Sequence, residues 1–221
     1  HWLYLLGQGP VFGMEFFVFR KKEWHIRYDK KFKRYLKQAH LRYPDADLDE
    51  TIYDPARKLD TVAIERLAIC HWIDEGKNLL ITEMTSSGKT HLSNALCIST
   101  LRQLKTVRYI RANTLMLELE QTRLKSTYLE YVTALSKLDL LAIDAFGLME
   151  LDLDKCRDLF EVIDGRDGRR STIIISQFPI KSCFDLFREH TYVDACLARI
   201  TDKRHSYRLE MNGISMREAE K

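Results

Sequence analysis

Downstream of Gly76, short runs of apolar residues alternate with longer segments in which apolar residues recur every three or four positions. The short runs are predicted strands and lie at 78–82, 106–111, 138–144, 171–176 and 207–211. The longer segments are predicted helices and lie at 89–104, 113–124, 127–135, 153–163 and 192–201. Because alternation of strands with helices is typical of parallel sheets covered on both faces, the pattern predicts an α/β domain with a mostly parallel sheet flanked by helices.

Upstream of Gly76 the pattern is helical. Residues 61–75 carry apolar positions at helical spacing and are predicted to form one helix that ends at Gly76, a suitable C-terminal cap. Residues 42–60 contain Pro44, Pro55 and several aspartates without a sustained period, which predicts a linker. Residues 20–42 place aromatic residues at helical spacing and predict an amphipathic helix that ends before Pro44. We therefore divide the chain into an unassigned stretch (1–19), a basic helical N-terminal segment with its linker (20–58) and the α/β domain (59–221).

Charge changes the interpretation of the N-terminal helix. The whole chain has a net charge of only +3, yet residues 20–42 hold ten basic residues against two acidic ones. Positive charge interleaved with aromatic residues is typical of surfaces that bind the phosphate backbone of nucleic acids. The candidate DNA-binding residues are Lys30, Lys31, Lys33, Arg34 and Lys37. An equally good interpretation is a helix that packs on a partner or on its own domain and leaves its charges solvated.

The remaining composition narrows the class of protein. Residues 1–19 are apolar but interrupted by glycine and proline, so they are not expected to span a membrane or to act as a signal peptide. The five cysteines are scattered without a C-x-x-C pair, which predicts neither a zinc site nor a disulfide framework and favours the reducing cytoplasm. The sequence shows no clustered carboxylates and no nucleophile elbow, which argues against metal-dependent nucleases and Ser-His-Asp hydrolases.

A phosphate-binding motif follows the first predicted strand. The run Thr82-Glu83-Met84-Thr85-Ser86-Ser87-Gly88-Lys89-Thr90-His91 leads from this strand into a helix, which is the context that a P-loop requires. In such a loop the backbone N–H groups surround the β-phosphate of a nucleotide, and the helix dipole adds to the attraction. Lys89 would reach the β- and γ-phosphates, and the Thr90 hydroxyl would ligate Mg²⁺. The predicted nucleotide-binding residues are Met84, Thr85, Ser86, Ser87, Gly88, Lys89, Thr90 and His91.

One position departs from the motif. The first glycine of the P-loop pattern is replaced by Glu83, whose carboxylate would repel phosphate and whose Cβ strains a turn that glycine makes freely. The alternative interpretation is therefore an ordinary turn from strand to helix in which Lys89 is an exposed lysine. A second motif favours the P-loop.

That second motif is the apolar run Leu138-Asp139-Leu140-Leu141-Ala142-Ile143-Asp144. A carboxylate at the end of a buried strand beside a P-loop is placed to bind Mg²⁺, so Asp144 is the predicted metal-binding acid together with Thr90. Many ATPases place a second acid directly after it to activate water, but that position is Ala145. We expect Glu150, Asp152 or a water network to substitute poorly or not at all, so that hydrolysis is slow or absent.

These motifs, in this order, resemble a known family. Tyr43-Pro44-Asp45-Ala46, Trp72-Ile73, Asn78-Leu79-Leu80-Ile81-Thr82, Ser87-Gly88-Lys89-Thr90, the strand that ends at Asp144 and Arg170-Ser171-Thr172-Ile173-Ile174 all occur in the order expected of IstB-type helper ATPases of insertion-sequence transposition. The family is related to the DnaC helicase loader within the AAA+ class. The resemblance implies an AAA+ P-loop fold, with ATP and Mg²⁺ as cofactors.

The resemblance also implies roles for three further residues. It places Gln177 where these ATPases hold a polar sensor of the γ-phosphate, although a solvent-exposed strand end explains this residue nearly as well. It matches Arg199 with an arginine that enters the nucleotide site of a neighbouring subunit, which implies a homo-oligomer. It aligns Arg217 with a terminal basic residue of no assigned role. Ala198 departs from the family pattern, in which an aspartate commonly precedes the arginine.

Three functions follow as expectations. The first is an ATP-dependent factor that assembles on duplex DNA and presents it to a transposase. The second is a loader that acts on a replicative helicase. The third, favoured by Glu83 and Ala145, is a degenerate protein that binds nucleotide or DNA without hydrolysis.

Overall fold

The structure is a computed structural model that describes residues 10–48, 60–82, 88–148, 152–178, 190–202 and 204–210. Its helices are α1 (Pro10–Ala39), α2 (Thr61–Ala68), α3 (His71–Asp74), α4 (Lys89–Arg102), α5 (Ala112–Leu124), α6 (Tyr128–Lys137), α7 (Leu153–Asp164) and α8 (His190–Thr201). Its strands are β1 (Asn78–Thr82), β2 (Val107–Arg111), β3 (Leu140–Phe146), β4 (Ser171–Ser176) and β5 (Ser206–Glu210). The predicted α/β class is confirmed, and all five predicted strands are present within two residues of their expected bounds.

The strands form one parallel sheet in the order β2-β3-β4-β1-β5. Strand β4 therefore lies between β1, which precedes the phosphate motif, and β3, which ends near Asp144. Their register pairs Leu80 with Ile174 and Ile174 with Ile143. Since all strands run in one direction, their carboxyl ends meet at one edge of the sheet, which is where α/β proteins bind ligands.

Alternate residues of each central strand are buried on opposite faces of the sheet. On one face Leu80, Leu141 and Ile174 pack with α5, α6, α7 and α8. On the other face the neighbouring strand residues pack with α2, α3 and α4 and with the end of α1. Burial on both faces explains why these strands are continuous apolar runs rather than alternating ones.

The helix predicted over 61–75 is wrong as one unit. The structure has two helices there, α2 and α3, because Cys70 adopts a left-handed conformation with φ 62°. The Trp72 indole in α3 donates to the Leu67 carbonyl (3.0 Å), and this hydrogen bond supplies a partner for a carbonyl in the last turn of α2. Apolar spacing continues across the break, which is why the sequence pattern did not show it.

Helix α1 is a single 30-residue helix that begins earlier than predicted and ends at Ala39. Its C-terminal half packs on the α/β domain, since Phe32, Tyr35 and Leu36 contact the core on the α4 side and Ala39 is fully buried. The Tyr28 hydroxyl also donates to the Arg102 carbonyl at the end of α4. In the part of the chain that the structure describes, no helix has the length and apolar character needed to cross a membrane.

Residues 41–48 connect α1 to the rest of the chain without helical structure, but they are not detached from the domain. The Asn94 side chain in α4 accepts hydrogen bonds from the backbone N–H groups of Arg42 (3.0 Å) and Tyr43 (3.2 Å). Ala46 is buried against Ala95 and Ile98 of the same helix. The rest of the predicted linker, 49–59, lies outside the described residues.

Candidate functional site

The carboxyl end of β1 leads toward the start of α4. Gly88 is the N-cap of this helix and has φ 90°, a left-handed value that residues with a side chain rarely adopt. A Cβ built there would meet nothing within 4 Å, so backbone conformation rather than space requires glycine. The preceding motif residues Glu83, Met84, Thr85, Ser86 and Ser87 lie outside the described residues.

The start of α4 has the electrostatics of an anion site. The N-cap residue Gly88 contributes no side-chain hydrogen bond, and the first turn of the helix contains no acidic residue. Lys89, in that first turn, is only 7% exposed. The ammonium of Lys89 and the positive end of the helix dipole both attract anions, which suits a phosphate group at this position.

The two sequence motifs meet at Thr90 and Asp144. The Thr90 hydroxyl donates to Asp144 Oδ2 at 3.2 Å, and the Tyr109 hydroxyl donates to the same oxygen. The backbone N–H of Ala145 donates to Asp144 Oδ1 at 2.6 Å. Asp144 is 6% exposed, so three donors satisfy a nearly buried carboxylate.

The chemistry of this pair fits Mg²⁺. A hydroxyl and a carboxylate are hard oxygen ligands, which Mg²⁺ prefers, and it commonly takes one or two protein ligands with water and phosphate completing its shell. Among the described residues there is no cluster of three or more His, Cys, Asp or Glu side chains that could hold a metal by itself. One hydroxyl and one carboxylate suit a cation whose remaining ligands are water and the phosphates of a nucleotide.

The position expected to carry a second acid is held by Ala145, which has a left-handed φ of 57°. Of the predicted substitutes, Glu150 lies outside the described residues. Asp152 instead caps α7, where its side chain accepts from the Lys155 N–H at 2.9 Å. That backbone hydrogen bond is the main cause of a lowered pKa for Asp152. This carboxylate is thus engaged in capping a helix.

Gln177 directly follows β4, the strand between β1 and β3, and is partly buried. The adjacent Ser176 donates to the Phe146 carbonyl at 2.9 Å and accepts from the Phe178 N–H at 3.1 Å. These bonds tie the end of β4 to the end of β3. Gln177 therefore lies at the same edge of the sheet as Gly88 and Asp144.

Arg199 lies elsewhere. Its Nε donates a hydrogen bond of 2.7 Å to Asp164 Oδ1, and its Nη2 lies 2.6 Å from the same oxygen in an ion pair. The guanidinium stands 4.7 Å from the centre of the Phe160 ring. Its carbonyl accepts from the Asn78 side chain (3.4 Å), and Asn78 begins β1. Arg199 is thus near the edge where the strands begin, opposite the edge that carries Gly88.

Three residues near the site were not identified from the sequence. Asn94 donates to the Thr90 carbonyl at 2.6 Å while holding the segment after α1, so it joins that segment to the first turn of α4. The Tyr43 ring lies 6.1 Å from the ring of His91, measured between centres, which places the same segment over the first turn. Tyr109 contacts Asp144. Tyr43 opens one of the motifs that carry the family resemblance, but that motif assigned it no role, and Asn94 and Tyr109 belong to no motif.

The predicted DNA-binding residues share a surface. Lys30, Lys33, Arg34 and Lys37 are exposed and follow helical spacing on the side of α1 opposite the packed Phe32, Tyr35 and Ala39. Lys31 differs, because it is partly buried with its ammonium 5.3 Å from the Tyr35 ring centre. The two interpretations of α1 are thus compatible, since one side packs on the domain and the other presents positive charge.

Comparison with known proteins identifies relatives of this chain. A family model described as IstB-like ATP binding protein matches residues 14–221. A protein of Sinorhizobium fredii, named an insertion sequence ATP-binding protein (y4pL), is 34% identical over 197 residues, which cover 89% of this chain and 79% of that protein. A protein of Pseudomonas fluorescens, named an ATP-binding protein of insertion sequence IS1162, is 38% identical over 160 residues, covering 72% of this chain and 68% of its own length.

Solved structures share the fold. The DnaC helicase loader superposes with a TM-score of 0.60 at 18% identity, over 77% of this chain and 98% of that one. The replication initiator DnaA, solved with AMPPCP and single-stranded DNA, gives a TM-score of 0.62 at 16% identity over 76% of this chain. This chain spans only 50% of the DnaA chain. At these identities the similarity shows that the fold is shared.

Proposed function

This chain belongs to the family of IstB-like ATP binding proteins, and from that premise we propose that it binds ATP with Mg²⁺, assembles on duplex DNA and assists a transposase in insertion-sequence transposition. The observation that carries the nucleotide part is the contact between Thr90 and Asp144, which brings the two sequence motifs together at 3.2 Å. We place its action in the cytoplasm as part of the same proposal.

The described residues would bind different parts of the Mg²⁺-nucleotide. The N-terminus of α4 offers N–H groups and a positive dipole end to the phosphates, with Gly88 shaping the backbone there. Lys89 adds a positive charge, and its burial strengthens that charge because little water screens it. Thr90 and Asp144 would hold Mg²⁺, which supplies charge neutralisation on the phosphate oxygens when it is bound.

Turnover is expected to be slow. A water that attacks the γ-phosphate needs a group to orient or deprotonate it, and Ala145 offers neither. Gln177 lies at the correct edge of the sheet to contact the γ-phosphate or that water through its amide. Arg199 would act from a neighbouring subunit, exchanging its carboxylate partner Asp164 for phosphate. Hydrolysis would then depend on assembly.

DNA binding is assigned to the exposed basic side of α1. Four exposed cations on one helical face can contact backbone phosphates together, and such contacts carry no sequence information by themselves. The side chain of Asn94 links the end of α1 to the turn that contains Thr90. If DNA binding moves α1, the hydrogen bonds of Asn94 would therefore transmit that movement to the first turn of α4.

The choice of protein partner rests on the relatives. Those at 34% and 38% identity carry insertion-sequence names, which favours a transposase. The alternative is a replicative helicase, which the fold shared with the DnaC helicase loader supports. A pull-down with the tagged full chain in the presence of ATP and DNA separates them: recovery of a transposase supports the proposal, and recovery of a helicase without one supports the alternative.

One experiment tests the function as a whole. Binding and hydrolysis of Mg²⁺-ATP are measured with and without duplex DNA, while sedimentation follows assembly, for the natural chain, Lys89→Ala and the exposed-lysine control Lys125→Ala. The natural chain and the control should bind ATP and form larger assemblies with DNA, whereas Lys89→Ala should lose both. Equal ATP binding by all three would overturn the proposal. Binding without any turnover, with or without DNA, would instead favour the non-hydrolysing alternative.

A further inference from the structure

Tyr109 belongs to neither sequence motif but contacts the carboxylate on which both motifs converge. It lies on β2, the edge strand beside β3, and its register partner there is Ala142, two residues before Asp144. Side chains two residues apart on a strand point to the same face, so Tyr109 and Asp144 are diagonal neighbours on the face covered by α4. The Tyr109 hydroxyl donates to Asp144 Oδ2.

Both partners of this contact are shielded from water. Tyr109 is 5% exposed and Asp144 is 6% exposed. A carboxylate so far from water depends on protein donors, both for the stability of its charge and for its orientation. Oδ1 is held by the Ala145 N–H, whereas Oδ2 is held by Thr90 and Tyr109. Thr90 belongs to the first motif and Ala145 directly follows the second, whereas Tyr109 reaches Asp144 from another strand, β2.

The tyrosine is suited to this role because its hydroxyl reaches Asp144 Oδ2 from a neighbouring strand of the sheet. Its rigid ring is packed in the core cluster that also contains residues of α4, which gives the hydroxyl proton a defined position.

We propose that Tyr109 is a positioning residue for the Mg²⁺ site, whose hydroxyl fixes the Asp144 carboxylate in the orientation that receives the hydrated cation. The inference rests on the proposed nucleotide function and deepens it. The Thr90 hydroxyl oxygen is expected to bind the cation through a lone pair. Tyr109 supplies Oδ2 with a donor that has no other task in the site. Partners of this kind around metal ligands typically affect metal affinity about tenfold or more.

The test compares Tyr109→Phe with a matched control. Tyr131 makes the same kind of contact outside the site, since its hydroxyl donates to Glu118, so Tyr131→Phe removes an equivalent hydrogen bond. For both variants and the natural chain, the affinity for a fluorescent ATP analogue is measured with excess Mg²⁺ and with EDTA. A Mg²⁺ titration at fixed nucleotide gives the midpoint for the cation. Thermal unfolding without nucleotide verifies folding.

Tyr109→Phe should raise the Mg²⁺ midpoint about tenfold and leave the affinity in EDTA unchanged, while Tyr131→Phe should alter neither. An unchanged Mg²⁺ midpoint in Tyr109→Phe would overturn the inference. An equal loss with Mg²⁺ and with EDTA would also overturn it, because it would show a general structural role. If the natural chain itself binds no Mg²⁺-ATP, the proposed function fails, and that outcome is distinct from either result for the variant.

Discussion

Thr90 Oγ1 lies 3.2 Å from Asp144 Oδ2, although 54 positions separate the two residues in the sequence. The contact joins the start of α4 to β3 and requires the crossover that places β4 between β1 and β3. Neither motif alone specifies a cation site, because lysine at a helix start and aspartate after a strand are both common. Their meeting in a nearly buried position is the strongest physical argument for Mg²⁺-nucleotide binding.

The basic side of α1 predicts DNA binding that depends strongly on salt. Replacing Lys30, Lys33, Arg34 and Lys37 with glutamine should lower the slope of log affinity against log salt by about 3 to 4, since each phosphate contact contributes about 0.9. The measurement is fluorescence anisotropy with a labelled duplex at several salt concentrations. Lys125, exposed directly after α5, and Lys137, exposed at the end of α6, provide the control when changed to glutamine. Affinity that does not respond to salt, or equal losses in both variants, would remove α1 from the DNA interface.

Ala145 predicts a gain of function. An Ala145→Glu variant places a carboxylate directly after Asp144, where it would accept a proton from the attacking water, and should raise the ATP turnover rate by at least about tenfold. Ala145→Gln is the matched control, because glutamine has the same shape and backbone strain without the base. Turnover is measured by phosphate release with DNA present. An increase in neither variant, or an equal increase in both, would show that a missing base does not limit hydrolysis.

Two glycines with the same backbone conformation give a test of packing. Gly76 has φ 65° and Gly168 has φ 63°. A Cβ on Gly76 would lie 3.0 Å from the Gly168 carbonyl carbon, whereas a Cβ on Gly168 meets nothing within 4 Å. Both alanine variants should lose about 1 kcal/mol of folding free energy for the left-handed conformation. Gly76→Ala should lose about 1–3 kcal/mol more for the clash with the backbone.

Urea unfolding of the two variants measures that difference. Because backbone strain is nearly the same in both variants, the difference between their free energies of unfolding gives the cost of the clash between the added Cβ at position 76 and the backbone of Gly168 and Arg169. Equal destabilisation would mean that the chain relaxes around the added methyl group and that the approach of Gly76 to Gly168 and Arg169 is not tightly fixed.

Much of the fold could be predicted because the strands are buried on both faces. Such burial needs uninterrupted apolar runs, as in Leu79-Leu80-Ile81 and Ile173-Ile174-Ile175, and these are visible in the sequence. The break between α2 and α3 was missed because the left-handed conformation of Cys70 leaves the apolar spacing intact. The conformation depends on packing across the break, which a periodic pattern does not encode.

Buried polar side chains were the least predictable part of the structure. Arg166 is 1% exposed, and burial lowers its pKa to about 9. Its guanidinium donates to the Thr172 hydroxyl (3.1 Å) and the Leu138 carbonyl (3.1 Å), with further bonds to the carbonyls of Leu135 and Ser171. An arginine ordinarily indicates a surface position. Its burial is explained by the carbonyl and hydroxyl oxygens that surround the guanidinium in the folded structure and accept its hydrogen bonds.

In the candidate site too, some residues can be predicted from sequence motifs and others depend on the three-dimensional arrangement. Lys89, Thr90 and Asp144 could be predicted because their chemistry requires particular residue types at fixed positions relative to a strand or a helix. Tyr109 and Asn94 reach the site from segments that are distant in sequence, so no local spacing indicates them. The pairing of Arg199 with Asp164 likewise depends on how α7 and α8 pack.

The most direct test of the central claim, that Thr90 and Asp144 act on one nucleotide-bound cation, is a double-mutant cycle in Mg²⁺-ATP affinity. Thr90→Val removes the hydroxyl and keeps the shape, Asp144→Asn removes the charge, and the double variant completes the cycle. If both residues hold one cation, each single change should weaken binding about tenfold or more, and the double change should cost little more than the larger single one. Losses that simply add, or that persist equally in EDTA, would contradict a shared Mg²⁺ site.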